Sequence, residues 1–228
     1  MHSETWFLLL NNAVCLNRRL FAKNGYSVAL IARGAHEVNK IADEINASGG
    51  HVSYALSSPS YLNHYLIQAA PFPLPSYSDD HIASAWQAIH AKFPKPEYVI
   101  RVALFNVAHG VWKPFLDITP QDVQDCLQIN VAASFSFARG AILAFKDNDI
   151  EQPNGKRGAL ISTGGTSSTR GNVVMSAFAA GKFGTRALSQ SLAKEFGKEN
   201  IHVAYICLNQ FLLLRNHDIL HGSLLRHF

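Results

Sequence analysis

One α/β domain built on a doubly wound parallel sheet is the architecture that the sequence predicts. Short apolar runs rich in β-branched residues alternate with longer helical stretches, which is the pattern of successive βαβ units. Residues 27–32 are apolar without alternation, as expected of a central strand covered by helices on both faces. A length of 228 residues with 48% hydrophobic content suits a single well-buried domain.

The first half of the chain contains the less regular elements. In order, we predict a strand at residues 6–10, a helix at 12–24, the strand at 27–32, a helix at 36–50 and a strand at 52–56. Gly25 is well placed to end the first helix, and Gly49-Gly50 to end the second. Residues 57–77 contain four prolines and no clean period, so we interpret them as an irregular insertion.

The second half follows the βαβ rhythm more closely. Ser78 is a plausible N-cap, and Thr119 followed by Pro120 is a strong helix start. The predicted elements are a helix at 79–93, a strand at 98–106, a helix from 120 to about 145, a strand beginning at 158, a helix at 172–197 and a strand at 201–208. We therefore place the domain at residues 1–208, with a divergent C-terminal tail at 209–228.

Composition excludes several classes of function. The net charge of +4 comes from Lys and Arg spread along the chain, so no basic patch indicates nucleic-acid binding. The apolar run at residues 6–10 is too short to span a membrane, and three widely spaced cysteines suit a reduced compartment, so a cytoplasmic location is predicted. His217 and His221 have metal-binding spacing but no third ligand nearby, and no metal site is predicted.

Polar residues at the ends of predicted strands and on helices form the candidate site. Phe178 and Lys182 lie four apart on one helical face, and Asn130 lies within an otherwise apolar helix. Arg33 closes the phrase ALIAR, while Asn106 begins NVAHG after the strand at 98–106. In their order and spacing these residues, with the STGGTSSTRG loop, resemble the short-chain dehydrogenase/reductase family over roughly residues 25–56 and 78–208.

The resemblance implies a Rossmann-type fold and a nicotinamide cofactor. By analogy with the family, Lys182 holds the nicotinamide ribose and Asn130 a water for proton relay. Asn106, Val107 and Ala108 shape the adenine pocket. The resemblance implies that Arg33 binds the 2′-phosphate and so favours NADP over NAD. The alternative interpretation is that Arg33 is a solvated arginine at a strand end with no ligand. The substrate implied is a small carbonyl or alcohol, and the helices at 121–145 and 172–197 imply a homodimer or homotetramer.

Four departures from the family pattern bear on catalysis. Phe178 stands where the family has its catalytic tyrosine, and Gly165 where it has serine, so Thr166 or Ser167 would replace the serine hydroxyl. The phosphate loop would fall at residues 7–14, which contain no glycine, so side chains would crowd the diphosphate. Asn209-Gln210 replaces a Pro-Gly turn. FAAGKF resembles a subgroup of the family with the same phenylalanine.

These observations leave three hypotheses open. The first is an NADP-preferring oxidoreductase whose proton comes from water or from a side chain other than Phe178, with His109 as one candidate. The second is a catalytically impaired member that serves as a nucleotide-binding or dimerising protein, which the missing tyrosine and glycine loop favour. The third is an incomplete product, suggested by the irregular stretches at 1–14, 57–77 and 209–228.

Overall fold

The computed structural model describes residues 26–47, 68–152 and 154–208, together with the backbone of residues 4–11. The described strands form a six-stranded parallel sheet in the order β3-β2-β1-β4-β5-β6. Their bounds are β1 Glu4–Asn11, β2 Ser27–Arg33, β3 Ala69–Leu74, β4 Tyr98–Asn106, β5 Gly158–Gly165 and β6 Ile201–Leu208. This order is the doubly wound Rossmann arrangement, so the predicted architecture is confirmed.

Helices cover both faces of this sheet. They are α1 Ala35–Ala47, α2 Asp79–Lys92, α3 Pro120–Leu127, α4 Ala133–Lys146 and α5 Ser176–Phe196. Neighbouring residues of β4 show the two-sided core directly: Leu104 belongs to the apolar cluster that contains Val38 of α1, and Phe105 to the cluster that contains Phe137 of α4. Successive strand residues point to opposite faces, so a central strand needs apolar residues at every position.

The strand order reverses its direction of growth between β1 and β4. Crossovers after β1 build the sheet towards β3, whereas β4 begins the half that ends with β6. At such a switch point the connections leave the carboxyl ends of the two strands in opposite directions and leave a crevice between them. The loop after β4 therefore lies where ligands bind in open α/β sheets, which makes residues 107–119 part of the candidate site.

The interpretation of residues 57–77 as irregular is wrong for Ala69–Leu74, which form β3 and pair with β2. Pro71 and Pro73 made a strand seem unfavourable. However, β3 is at the edge of the described sheet, and N–H groups two residues apart point the same way. The missing N–H groups of these prolines can therefore both face away from β2, where no ladder bond is lost. Predictions for residues 12–24, 52–56 and 209–228 lie outside the described residues.

The predicted long helix from residue 120 is confirmed at its start but is not uniform. The Thr119 side chain accepts from the backbone N–H of Asp122, and the Asp122 carboxylate accepts from the Thr119 N–H, which is a capping box. Between α3 and α4 the segment Gln128–Ala132 adopts a π-helical turn. Such turns frequently mark functional sites, because one extra residue shifts the side chains that follow.

The helical stretch Pro120–Lys146 is also long and apolar enough to cross a membrane by length and composition alone. In this fold its apolar composition has a structural explanation. Phe137, Ala141 and Phe145 of α4 are completely buried, and they belong to the core cluster between α2, α4 and the sheet. A core helix passes the same test of length and hydropathy, so the stretch is weak evidence for a membrane.

Candidate active site

Lys182 is a buried lysine on α5 whose side chain reaches the carboxyl ends of the central strands. Its side chain is 5% exposed. The ammonium Nζ donates to the carbonyl oxygen of Val107 at 3.2 Å and to that of Thr163 at 3.3 Å. Burial lowers the pKa of Lys182 to about 8, because a charged amine is poorly solvated there and no carboxylate among the described residues offsets the cost.

Asn130 lies in the π-helical turn and is completely buried. Its amide Nδ2 donates to the carbonyl oxygens of His109 at 2.8 Å and Cys126 at 2.9 Å, while its Oδ1 accepts from the N–H of His109 at 3.1 Å. The Asn130 carbonyl oxygen accepts from the Thr185 hydroxyl of α5 at 2.7 Å. The asparagine therefore joins the loop after β4 to α5, the helix that carries Lys182.

Asn106 is tied to the neighbouring strand by Thr163, whose hydroxyl donates to the Asn106 Oδ1 in a short hydrogen bond. The carboxyl ends of β4 and β5 are held together by this contact. Val107 is completely buried, and Ala108 beside it is exposed at the surface of the loop. The two carbonyls that accept from Lys182 thus belong to a braced pair of strand ends, so the amine is held in a defined position.

Aromatic rings occupy the position where the family has its tyrosine. The ring centroid of Phe178 lies 6.0 Å from the Lys182 Nζ, and the Trp112 ring lies 5.6 Å from the Phe178 ring. Trp112 is 62% exposed and packs closely over Gly110, so it forms an outer wall. Neither ring carries a group that exchanges protons at neutral pH.

The hydroxyl residues predicted to hold substrate oxygen lie in a turn after β5. Thr166 and Ser167 are half-buried in a short 3₁₀ helix that also includes Ser168. Ser168 is completely buried, and its hydroxyl donates to the carbonyl of Gly165 at 2.6 Å. Both hydrogen bonds of the Lys182 amine go to backbone carbonyls, so neither the Thr166 nor the Ser167 hydroxyl is hydrogen-bonded to it.

Arg33 lies at the carboxyl end of β2, which β1 separates from β4 in the sheet. Its guanidinium carbon lies 4.9 Å from the ring centroid of Tyr77, which is buried. Burial raises the pKa of Tyr77, so the phenol stays neutral beside the cation. The Arg33 side chain is exposed, so its guanidinium can also reach an anion in the solvent.

Sequence reasoning missed Thr163, Tyr77 and Trp112. Thr163 contributes a carbonyl oxygen and a hydroxyl, and its only sequence signal is a hydroxyl residue at the carboxyl end of a predicted strand. Tyr77 and Trp112 act through ring contacts with residues far away in sequence, which have no local pattern. Among the described residues no group of three or more His, Cys, Asp or Glu side chains could hold a metal; His217 and His221 lie outside them.

The donors at this site fit two parts of a dinucleotide. The Lys182 ammonium has three N–H groups, and the two hydrogen bonds to Val107 and Thr163 leave one for a ligand oxygen, either a ribose hydroxyl or a substrate oxygen. Arg33 offers a cation at the carboxyl end of β2, where a 2′-phosphate is accommodated in this type of sheet. The turn that follows β1 begins beyond Asn11 and lies outside the described residues.

A family model described as short chain dehydrogenase matches residues 67–212. A short-chain dehydrogenase/reductase of Armillaria gallica is 32% identical over 103 residues, which cover 45% of this chain and 37% of that protein. An uncharacterized oxidoreductase of Escherichia coli K12, YciK, is 24% identical over 178 residues, which cover 77% of this chain and 60% of that protein. The chain thus aligns with less than two thirds of the length of either curated relative.

Solved structures share the fold. A short-chain dehydrogenase from Rhodopseudomonas palustris has a TM-score of 0.70 at 25% identity, over 89% of this chain and 84% of that one. A chain described as a short chain dehydrogenase of Escherichia coli CFT073, complexed with NADPH, has a TM-score of 0.69 at 21% identity, over 91% and 78%. An alcohol dehydrogenase from Thermococcus sibiricus, complexed with 5-hydroxy-NADP, has a TM-score of 0.69 at 16% identity, over 90% and 76%.

Proposed function

The chain belongs to the short-chain dehydrogenase/reductase family of oxidoreductases, and on that premise we propose that it binds NADP(H) and interconverts a small carbonyl compound and its alcohol. The observation that carries this proposal is the position of Lys182. A buried ammonium is costly to keep, and here two strand-end carbonyls hold it beside the crevice. When bound, the nicotinamide supplies the hydride, and the protein supplies position and electrostatics.

Each of the remaining site residues has a proposed task that its surroundings support. Asn130 fixes the loop after β4 through its side chain. The region around its backbone carbonyl, which faces α5, would support a water on the path to Lys182. Thr166 or Ser167 holds the substrate oxygen from the turn after β5. Asn106, Val107 and Ala108 line the adenine side of the crevice, at the carboxyl end of β4.

A preference for NADP over NAD is the part of the proposal that depends on Arg33. The guanidinium at the end of β2 can bind a 2′-phosphate, and α1 begins two residues later with no acidic side chain between them. An acidic residue there would instead bind the ribose hydroxyls of NAD. Two of the structures similar to this chain are complexes with NADPH or an NADP derivative, which agrees with this preference.

A non-catalytic role is the second candidate, and the aromatic wall favours it. Phe178 carries no hydroxyl, and Gly165 carries no side chain at the family's serine position. A protein with this site could still bind nucleotide through Lys182 and Arg33 without turnover. In that case the nucleotide would act as a signal or as a stabiliser of an assembly.

A homodimer or homotetramer is proposed for either role. Large apolar side chains on α3, α4 and α5 remain exposed: Val123 by 38%, Leu127 by 42%, Phe135 by 55% and Phe183 by 42%. Exposed apolar groups on neighbouring helices are typical of an interface. Sedimentation equilibrium of the purified protein tests this proposal, and a monomer at micromolar concentration contradicts it. The predicted cytoplasmic location stays a prediction.

Calorimetric titration with NADPH and NADH is the experiment that separates these functions. We expect binding of NADPH at micromolar concentration and at least tenfold weaker binding of NADH, about 1.4 kcal/mol. Arg33→Gln should remove most of that difference, because the guanidinium contacts the 2′-phosphate alone. His36→Gln, a neutral change at the start of α1, is the matched control. Failure of a folded, monodisperse protein to bind either nucleotide contradicts the proposal and directs attention to protein partners.

A further inference from the structure

The site has the Lys182 amine, but no hydroxyl is present at position 178, where the family has its tyrosine. Within 6.0 Å of the Lys182 Nζ lies the ring of Phe178, which replaces the family's acid/base residue and offers no proton. The hydrogen bonds of the amine go to two backbone carbonyls, which accept but do not donate. A reaction at this position therefore needs a proton from a different group.

We propose that Lys182 itself is the acid/base residue: its ammonium protonates the carbonyl oxygen during reduction, and its neutral amine takes the proton back in the reverse direction. This inference rests on the function proposed above and names the proton donor that it lacked. Lys182 would then act directly on the substrate oxygen, instead of acting through a tyrosine.

The geometry of the amine suits this task. Two of the three N–H groups are held by Val107 and Thr163, and these contacts orient the third. Both acceptors lie at braced strand ends, since the Thr163 hydroxyl bonds the Asn106 side chain. The amine is 5% exposed, and no carboxylate among the described side chains forms an ion pair with it. No salt bridge with a described carboxylate therefore stabilises the protonated form of Lys182 and hinders release of its proton.

Burial places the titration of this amine in a useful range. The pKa of Lys182 falls from 10.5 to about 8, so the group is mostly protonated at neutral pH and can still release its proton. Proton transfer is most efficient when the pKa of the donor lies near the working pH. Desolvated lysines are among the groups that proteins activate in this way.

The neighbouring titratable groups are less suited to the task. The Cys126 thiol has a raised pKa because of burial, and the Tyr205 hydroxyl, also raised by burial, lies 3.4 Å from the Lys182 carbonyl oxygen and not at its Nζ. The Arg186 guanidinium, one turn further along α5, donates to the Ser168 carbonyl. His109 remains the rival proton donor because it belongs to the loop after β4, which Asn130 holds through the His109 peptide.

The step balances without any additional reactant. When bound, a reduced nicotinamide would supply the hydride, with its two electrons, to the carbonyl carbon. The Nζ–H bond of Lys182 breaks, a new O–H bond forms on the substrate oxygen, and the amine is left neutral. One proton from the bulk solvent then restores the ammonium, so the net reaction consumes that proton. The products are an alcohol and oxidised nicotinamide, and Lys182 returns to its starting state.

The test begins with the free protein and needs no substrate. Lysines labelled with ¹³C at Cε are titrated by NMR, and the Lys182 signal is assigned by its disappearance in Lys182→Arg. We expect this signal to titrate near pH 8, in contrast to the ordinary lysine value of about 10.4. A Lys182 signal that titrates at the ordinary value overturns the proposal.

The second part follows reduction of 4-nitrobenzaldehyde and 9,10-phenanthrenequinone with NADPH. We expect kcat/KM to fall above about pH 8, as the donor loses its proton. Lys182→Arg keeps the charge near the ribose but holds its proton, so kcat should drop about 100-fold or more, with NADPH affinity changed much less. In His109→Gln the fall of kcat/KM above about pH 8 should remain.

Each contrary result has a distinct meaning. If the fall of kcat/KM above about pH 8 disappears in His109→Gln and persists in Lys182→Arg, the histidine is the proton donor. Absence of reduction in a protein that binds NADPH overturns the role of Lys182 as donor while leaving nucleotide binding intact. Absence of NADPH binding removes the proposed function and this inference together, whatever value the Lys182 signal shows.

Discussion

The side chain of Asn130 and the peptide of His109 bond each other reciprocally. The Asn130 Nδ2 donates to the His109 carbonyl at 2.8 Å, and the His109 N–H donates back to the Asn130 Oδ1 at 3.1 Å. A third bond joins the same amide to the Cys126 carbonyl at 2.9 Å. One buried side chain thus supplies the hydrogen bonds that a neighbouring strand would give to the loop after β4. It holds that loop against α3 and the π-helical turn.

Asn130→Ala should lower the free energy of unfolding by about 2–4 kcal/mol, because it leaves buried backbone groups of His109 and Cys126 unpaired. Urea denaturation at 25 °C measures the change. Gln128→Ala is the matched control, since this exposed residue of the same π-helical turn makes one long bond of 3.4 Å to the Tyr77 carbonyl. A loss below 1 kcal/mol for Asn130→Ala would show that water satisfies these groups.

Lys182→Met should raise the free energy of unfolding at pH 7 by up to about 3 kcal/mol, since burial of the charge opposes folding. The folded pKa is about 8 and the ordinary value 10.5, so between them the unfolded state binds more protons. Stability of the wild type therefore rises with pH through this window, and the advantage of the variant shrinks.

Denaturation curves of both proteins at pH 7, 9 and 10.5 measure this dependence. Lys194→Met is the control on the same helix; Lys194 is exposed, so its replacement should change stability by less than about 0.5 kcal/mol at any of these values. If Lys182→Met and the wild type have equal free energies of unfolding at pH 7 and everywhere below pH 8, the burial of a charged amine is contradicted.

Gly164 and Gly165 should differ sharply in their tolerance of a side chain. A Cβ at Gly164 would run into the hydroxyl and ring of Tyr205, whereas at Gly165 the nearest atom is the Leu208 carbonyl oxygen at 3.5 Å. Gly165 has φ of −137°, which other residues adopt readily. We expect Gly164→Ala to cost about 1–3 kcal/mol through overpacking and Gly165→Ala to cost less than about 1 kcal/mol. Thermal unfolding of both variants provides the comparison.

Phe178→Tyr, combined with Gly165→Ser, should raise NADPH-dependent reduction by about 100-fold. The new hydroxyl would lie near the Lys182 ammonium, whose charge lowers the pKa of a neighbouring phenol. Space at Gly165 admits the serine. Phe183→Tyr adds the same hydroxyl at an exposed position of α5 and should not raise the rate of reduction. Unchanged rates in a double variant that binds NADPH normally would falsify the view that the crevice is otherwise intact.

Local signals explain which elements sequence reasoning could predict. The strand at 98–106 and the helix start at Thr119 were both predictable, because continuous apolar runs and capping residues act over a few neighbouring positions. β3 was missed for the opposite reason. Pro71 and Pro73 oppose a strand by local propensity, and only a place at the edge of the sheet makes them acceptable.

The candidate site divides in the same way. Asn106, Asn130 and Lys182 could be selected from their spacing and family resemblance, and the structure places them in one neighbourhood at the ends of β4 and β5. Thr163 and Trp112 could not be selected, because their contacts join segments that the sheet brings together. The π-helical turn at Asn130 was also unpredictable, since hydropathy does not distinguish it from an α-helix.

The sequence by itself determined the alternation of strands and helices from residue 79 onward, the parallel sheet that such alternation implies, and the absence of a hydroxyl at position 178. These are properties of composition and of short-range pattern. Tertiary structure alone decided that Lys182 is buried, which carbonyls hold it and in which direction its pKa moves. Solvation of a charge depends on every group packed around it, and those groups come from segments far apart in the chain.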